Sequence, residues 1–325
     1  MSTLVRMILA ALLLWVAGPA VADEGRKLPR IGLAIPVDAA TDAPYQKAFR
    51  EGLRELGYVD GKNVSLIVRY GNGDPERYRE VIQELVALRV DVLCGEAREL
   101  REATTTIPIV SPTMDWGDPV KSGLVASLAR PGGNLTGPSS QRHDIDPKLL
   151  QLTKELRPDA KRICLVFDGR PQLNLADYAN NDFRGFARKV GLSVRTIPIL
   201  ALDDARRVPQ IIDQERPQAI LVWLSPLTSQ QRQVLLGPVA TRLPVIGDLP
   251  GFAEAGAVVT YSVDWIDTFR RTATYVDKIL KGAKPGDLPI EQPTKFKMVV
   301  NLKAAEALSI RVPESILVQA DEVIR

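Results

Sequence analysis

The chain has 325 residues, of which 45% are hydrophobic, so it can bury a full core and we do not expect it to be disordered. Its length fits two domains better than one. The formal net charge is +3 and no block of basic residues occurs, which argues against a nucleic-acid-binding protein.

The first residues have the pattern of a secretory signal peptide. Arg6 precedes an apolar stretch from Met7 to Ala17, and residues 20–22 supply an Ala-x-Ala cleavage site. We therefore expect residues 1–22 to be removed on export, which leaves a soluble protein in the periplasm. A retained membrane anchor is the alternative, although the apolar stretch is short for a membrane span.

Apolar runs that are typical of strands alternate with helical patterns along the rest of the chain. In chain order the runs are RIGLAIP, NVSLIVRYG, VDVLC, IPIVSP, RICLVFD, LSVRTIPI, AILVWLSP, LPVIGD and AVVTYS. Strands that alternate with amphipathic helices predict parallel sheets with crossover helices. Runs without polar alternation, such as AILVWL, predict strands that are covered on both faces.

Two helices between the first runs can be predicted in more detail. The first extends from Ala43 to Gly57, and its apolar face carries Phe49, Leu53 and Leu56. The second begins at Pro75 with Asp74 as its N-cap, and its inward face carries Tyr78, Ile82, Leu85 and Leu88.

The two cysteines lie in apolar runs that belong to different parts of the chain. Cys94 ends VDVLC and Cys164 lies in RICLVFD, so we interpret both as small core side chains. A disulfide is the alternative in an exported protein, but it would require these two strands to be neighbours.

The strand and helix pattern restarts after Gly137, where RICLVFDGR opens a second series much as RIGLAIPVD opens the first. The sequence therefore predicts an α/β fold of two doubly wound parallel-sheet lobes. Ligands of such sheets bind beyond the carboxyl ends of the strands. The corresponding segments are Pro36–Asp38, Gly95–Glu96, Ser111–Asp118, Asp168–Arg170, Ser225–Pro226, Gly247–Asp248 and Tyr261–Ser262.

Several longer segments identify a family resemblance. These are FREGLRELGYVDGKNV, ATTTIPIV, GDPVKSGLVASLARPGGNLTG, FRRTATYVDKILKGAKPGDLPIEQPTKFKMVVNLKAAEAL and the closing ADEVIR. From about Arg30 to Arg325 the chain resembles the bacterial ABC transporter substrate-binding proteins of the tryptophan/tyrosine type, which have the type I periplasmic-binding fold. The resemblance implies a receptor that captures a small organic or amino-acid-like solute and passes it to an ABC permease in the inner membrane.

The resemblance also implies the domain organisation. Three crossings would assign residues 28–137 and 262–284 to lobe 1 and residues 138–261 and 285–325 to lobe 2, with closure of the hinge around the solute. We expect a monomer without a cofactor, a metal or a nucleic-acid partner. The alternative function is a solute sensor that docks to a membrane signalling partner without import.

Glu96 marks a departure from that family. In the family a Gly-Thr-Pro turn commonly opens a helix whose hydroxyl and backbone N–H groups face the cleft, whereas this chain reads CGEARELREATTTIPIV, which is shorter. Glu96 then stands at the place of the hydroxyl. We favour a carboxylate that complements the positive helix end. Selection of an amine or cation over an anion, and loss of ligand binding, remain the alternatives.

Other candidate ligand contacts lie at strand ends in both lobes. In lobe 1, Trp116 is a candidate aromatic wall, and Asp118 is either a cleft residue or the N-cap of a helix in VKSGLVASLA, the role we favour. Tyr45 lies near the start of the first helix. Asp38 is a candidate partner for an amine, and Pro36 precedes it on the same loop.

The candidate contacts of lobe 2 complete this set. Asp168 would pair with an amine and Arg170 with a carboxylate, while Ser225, Asp248 and Tyr261 lie on the remaining loops and the second crossing. Trp223 is either a ligand wall or a core residue. We expect Trp116, Asp118, Arg170 and Tyr261 to line the closed cleft together.

Catalytic signals are weak. His143 is the single histidine, Gly-x-Ser-x-Gly is absent, and the glycines of ARPGGNLTG lack the Lys-Ser or Lys-Thr of a phosphate loop. The sequence therefore predicts a binding protein without catalytic or metal-ligating residues.

Overall fold

The computed structural model describes residues 28–114, 118–140, 142–173 and 175–325. The predicted signal peptide and Trp116 lie outside these ranges. The strands are β1 (Arg30–Ile35), β2 (Ser65–Tyr70), β3 (Val92–Cys94), β4 (Ile109–Val110), β5 (Leu135–Thr136), β6 (Arg162–Asp168), β7 (Ser193–Ile199), β8 (Ala219–Val222), β9 (Val245–Gly247), β10 (Val259–Val263), β11 (Phe296–Asn301) and β12 (Glu322–Ile324).

The α-helices follow the same chain order. They are α1 (Ala39–Glu55), α2 (Pro75–Ala87), α3 (Ala97–Ala103), α4 (Arg142–Leu156), α5 (Leu175–Tyr178), α6 (Arg184–Lys189), α7 (Val208–Glu215), α8 (Pro226–Gln230), α9 (Arg232–Ala240), α10 (Pro250–Glu254), α11 (Trp265–Leu280), α12 (Leu302–Ala307) and α13 (Glu314–Leu317). Within the described residues, no helix is both long and apolar enough to span a membrane.

The first sheet is parallel and has the strand order β2-β1-β3-β4-β5. Its interior strand β1, which lies between β2 and β3, is buried on both faces. Ile31 and Leu33 pack with Phe49 on one side, while Ala34 packs with Tyr78 on the other. A parallel sheet needs this double cover because its crossover helices lie on both faces. The predicted α/β class is confirmed in this lobe.

The second sheet has the strand order β12-β11-β10-β9-β8-β6-β7 and is parallel except for the antiparallel pair β10–β11. Its core contains the fully buried Trp223, whose ring lies edge-on to Phe183 at a centroid distance of 5.0 Å and packs against Phe167 and Tyr178. Trp223 is therefore a core residue and not a wall of a ligand site.

The chain passes between the two sheets after Gly137, at Asp264 and again before β11. Helix α11 packs on α1 of the first lobe, and Ile290 belongs to the core of that lobe. Strand β10 reaches Val263 in the second sheet. The predicted boundaries between the lobes were 261/262 and 284/285, and both crossings come later in the chain. Strand β10 continues two residues further, to Val263, and the segment after α11 covers β5 of the first sheet before the chain reaches β11.

Helix α1 begins earlier than predicted. Asp38 is its N-cap, since the Asp38 carboxylate accepts a hydrogen bond of 2.8 Å from the Thr41 N–H, and Pro44 lies inside the helix. Leu56 and Leu88 were predicted to be buried, but they follow the last helical residue of α1 and α2 and are exposed. Asp74 caps α2 as predicted, accepting from the Glu76 and Arg77 N–H groups.

Both cysteines are buried and free, as predicted. Burial raises the pKa of the Cys164 thiol to about 12 and raises that of Cys94 as well, because the thiolate would lose its hydration. Both thiols therefore remain protonated and act as small apolar side chains.

Candidate ligand-binding site

A cavity of about 100 Å³ lies between the lobes, at the carboxyl ends of the strands. The first lobe contributes the end of β1, the first turns of α1 and the segments after β3 and β4. The second lobe contributes Leu224–Pro226 after β8 and Leu249 after β9, and α11 adds Trp265 and Phe269. The cavity thus lies where a doubly wound fold places its ligands.

The lobes are in contact around this cavity. The side-chain amide of Gln230, at the end of α8, donates a hydrogen bond of 2.9 Å to the carbonyl oxygen of Asn72 in the first lobe. Tyr45 stacks on Phe269 with a centroid distance of 5.1 Å, and both rings also pack against the core of the second lobe. Residues of both lobes therefore touch each other at the rim of this cavity.

The walls of the cavity are mainly apolar. Tyr45, Phe49, Trp265 and Phe269 provide aromatic surface, and Leu249 closes the side that faces the second lobe. Burial raises the pKa of Tyr45 to about 12, with nearby Asp42 as the second cause, so its hydroxyl stays protonated. Such walls suit a ligand with an apolar body.

Asp42 is the most unusual polar group in the cavity. It is only 3% exposed, and its Oδ2 atom has no hydrogen-bond partner. Loss of hydration raises its pKa from 3.8 to about 6, a hydrogen bond from Gln46 opposes this rise, and the charge of Asp38 adds to it. A buried carboxylate without a cation is expensive for a fold to hold, and it is a frequent sign of a functional position.

Gln46 lies one turn after Asp42 on the same face of α1. Its Oε1 atom is buried without a hydrogen-bond partner, and it also lines the cavity. Our sequence reasoning missed both residues. The position of Phe49 on the apolar face of this helix could have indicated both. Gln46 lies three residues before Phe49 and Asp42 lies seven residues before it, and residues at these spacings share one helix face.

Glu96 lies at the N-cap position of α3, but its side chain makes no capping hydrogen bond. The Thr113 hydroxyl lies 3.5 Å from Glu96 Oε2, and the backbone N–H of Glu96 donates 2.9 Å to the Tyr78 hydroxyl. Gly95 permits this close approach, since its φ is +157° and a Cβ there would lie 2.7 Å from the Ala34 carbonyl oxygen. Glu96 lines the cavity.

A second chamber of about 180 Å³ adjoins the first, and the two share Pro36, Glu96 and Pro226 as walls. Acidic side chains dominate it, with Glu99 and Glu102 following Glu96 along α3. Burial raises the pKa of Glu99, while the positive charge of Arg170 opposes this rise. The two chambers therefore form one cleft with an acidic extension.

Arg170 lines the second chamber, but it is already paired. Its Nε and Nη2 atoms donate to the Asp168 carboxylate at 2.9 and 2.7 Å, and Asp168 is fully buried. Asp168 lines neither chamber. We predicted that Asp168 would pair with an amine of the ligand and Arg170 with a carboxylate. Instead, the two side chains pair with each other.

The remaining predicted residues occupy different positions. Pro36, Tyr45 and Ser225 line the main cavity, whereas Asp38 caps α1 and Asp248 accepts the N–H of Leu224. These last two carboxylates are thus committed to the backbone.

Asp118 and Tyr261 are not brought together with Arg170 at the two chambers. Asp118 accepts from the Val120 and Lys121 N–H groups and caps a turn, so the helix predicted there is replaced by turns. Tyr261 stacks on Phe296 at 5.5 Å. Trp116, the fourth member of the predicted group, is not among the described residues.

Comparisons with known proteins agree with this architecture. The chain is 24% identical over 303 residues to the tyrosine-binding protein of Clostridioides difficile, covering 89% of this chain and 83% of that protein. The solved ABC domain in complex with L-Trp from Streptococcus pneumoniae has a TM-score of 0.83 and 27% identity, and covers 92% of this chain and 100% of that chain.

A conserved domain protein from Vibrio cholerae has the same TM-score of 0.83 and 27% identity, covering 91% of this chain and 100% of that chain. These likenesses confirm the predicted type I periplasmic-binding fold. The family model described as ABC transporter substrate binding protein matches residues 30–324. The chain belongs to the family of ABC transporter substrate-binding proteins.

Proposed function

We propose that this protein is the periplasmic solute receptor of an ABC importer, and that it captures a small organic or amino-acid-like solute by closure of its two lobes. The observation that carries the proposal is the cavity between the lobes, whose apolar walls come from both sheets and from α11. A ligand there contacts both lobes only when they are closed, so its binding energy favours closure.

The lobes that close would comprise residues 28–137 with 265–290, and residues 138–263 with 291–325. This division follows the end of β10 at Val263 and the packing of Ile290 in the first core. Two of the relatives described above are a tyrosine-binding protein and a domain in complex with L-Trp, which makes an aromatic, amine-bearing solute the first class to test. The receptor would leave the solute chemically unchanged and act as a monomer.

Native mass spectrometry of protein purified from the periplasm tests this proposal. We expect a defined extra mass that is lost on unfolding and corresponds to an unmodified small molecule. A protein without bound mass that is also not stabilised thermally by amino acids, amines, sugars or organic acids would contradict solute capture.

Import is tested separately by uptake of the labelled solute into cells with and without the gene. Loss of uptake in the deletion strain supports the importer. Unchanged uptake together with tight binding would favour the alternative role of a sensor that docks to a membrane signalling partner.

A further inference from the structure

The main cavity presents hydrogen-bond acceptors without matching donors at the first turns of α1. Asp42 Oδ2 and Gln46 Oε1 are both buried and both lack a partner, and their spacing of four residues places them side by side. Buried polar atoms are normally satisfied, so two adjacent orphan acceptors indicate a ligand that brings donors.

Four backbone N–H groups near the cavity that could hold an anion are already used. The Glu96 N–H donates to the Tyr78 hydroxyl, and the Leu224 N–H donates to the Asp248 carboxylate. The Ser225 N–H donates to the Thr228 hydroxyl, and the Thr228 N–H donates to the Ser225 hydroxyl. Pro226, the first residue of α8, has no N–H to offer. The helix start that faces the cavity from the second lobe therefore provides little for a carboxylate.

The charged side chains that line the two chambers also favour a cationic ligand. Among the described residues that line the main cavity, the charged side chains are Asp42 and Glu96, and neither Lys nor Arg occurs. In the second chamber, Arg170 pairs with Asp168, and Arg79 Nη1 lies 3.7 Å from Glu76 Oε1. The acidic side chains that line this chamber are Asp74, Glu96, Glu99 and Glu102. These two chambers together should attract cations and repel carboxylates. The basic residues Arg232 and Lys297 line a further chamber, which shares Tyr45, Ser229 and Leu249 with the main cavity and also contains Glu254 and Asp264.

We infer that the cleft selects an organic amine, with its ammonium group against Asp42 and Gln46 and a small apolar or aromatic body against Tyr45 and Phe269, and that it discriminates against the same molecule carrying an α-carboxylate. This inference rests on the proposed solute receptor and narrows its ligand class. An ammonium supplies three donors and one positive charge, and the aromatic walls favour a cation through their ring faces.

The test is isothermal titration calorimetry at pH 7.5 with pairs that differ only in the carboxylate: tryptamine and L-tryptophan, tyramine and L-tyrosine, phenethylamine and L-phenylalanine. We expect the amine of at least one pair to bind at least tenfold more tightly than its amino acid. Equal or tighter binding of the amino acid in every pair that binds would overturn the inference and leave the solute receptor intact.

Variants locate the effect. Asp42→Asn should weaken amine binding at least tenfold, and Gln46→Leu should weaken it severalfold. Glu55→Gln neutralises an exposed carboxylate on the same helix and should leave affinity unchanged. Thermal unfolding establishes that each variant folds, and amine affinity that is unaffected in both folded cavity variants would also overturn the inference.

Failure of the wider function has a different signature. If no amine and no amino acid binds, the amine inference is wrong. If sugars and organic acids also fail to bind or stabilise the protein, the solute receptor itself is contradicted.

Discussion

The two lobes each bury a carboxylate near the cleft, and they treat it in opposite ways. Asp168 of the second lobe is fully buried and accepts several hydrogen bonds from the Arg170 guanidinium, the shortest of which is 2.7 Å long. Asp42 of the first lobe is only 3% exposed, has an orphan oxygen and has no basic residue beside it in the main cavity.

The difference separates a structural charge from one that awaits a ligand. A buried ion pair offsets its own loss of hydration, and removal of one partner is what destabilises the fold. A buried charge without a cation destabilises the ligand-free protein, and a bound cation can restore that energy. The comparison therefore predicts opposite consequences for neutralising the two sites.

The largest effect is expected for Arg170→Ala. This variant leaves Asp168 buried without its cation and should lower the free energy of unfolding by about 3–5 kcal/mol. Urea unfolding followed by circular dichroism measures the change. Arg206→Ala is the matched control, because its pair with Asp203 is 3.4 Å long and mostly exposed, and it should change stability by less than about 0.5 kcal/mol. Similar values for both variants would contradict a structural role for the Asp168–Arg170 pair.

Neutralising Asp42 should raise the free energy of unfolding, which is the opposite of the effect of Arg170→Ala. Its pKa is raised from 3.8 to about 6, so the folded state binds a proton more tightly than the unfolded state, and stability is lost as the pH rises through this window. The loss is about 3 kcal/mol above pH 7, since one pKa unit corresponds to about 1.4 kcal/mol. Asp42→Asn should therefore be more stable than the wild type at pH 7.5.

The pH dependence of this difference is the check. The advantage of Asp42→Asn should shrink as the pH falls from about 6 to 4 and vanish below that range, as measured by urea unfolding without ligand. The neighbours that act on Asp42 or respond to it are Asp38, Tyr45, Tyr70 and, through Tyr45, Arg232. A variant that is less stable than the wild type at every pH would show that Asp42 has a structural partner.

Ligand affinity should follow the same titration. Protonation of Asp42 removes the charge that attracts an ammonium, so amine affinity should be constant above pH 7 and fall toward tenfold per pH unit well below pH 6. Calorimetry between pH 5 and 8 measures this slope. Asp42→Asn should have a flatter profile, and parallel slopes in both proteins would assign the dependence to another group.

A smaller effect is expected at the contact between the lobes. Gln230→Ala removes the hydrogen bond to the Asn72 carbonyl, which is 2.9 Å long, and so destabilises the closed state by about 1 kcal/mol. Ligand affinity should fall about fivefold. Gln233→Ala, on an exposed position of α9, is the control and should leave affinity unchanged. Equal affinities would indicate that closure does not depend on this contact.

The fold was accessible from the sequence because parallel sheets have a strong periodic signature. Runs such as AILV became buried strands, and the restart at RICLVFD marked the second sheet. The boundaries were less accessible. The sequence predicted that α1 begins at Ala43, whereas it begins four residues earlier at Ala39, and this error hid the inward position of Asp42.

Side-chain roles could be predicted only where chain position decides them. Glu96 was identified because it follows a strand and precedes a helix, and it does line the cavity. Arg170 and Asp168 were identified for the same reason, but their mutual pairing depends on side-chain geometry that a sequence does not contain. Trp223 was ambiguous because a strand end can face either the cleft or the core.

The most direct measurement of the central claim is the titration of the Asp42 carboxyl carbon by nuclear magnetic resonance, with and without the tightest-binding amine. Asp42→Asn identifies the signal. We predict a pKa of about 6 in the empty protein and a clearly lower value with the amine bound, because an ammonium stabilises the carboxylate. Identical titration curves in the two states would show that the ligand does not meet Asp42.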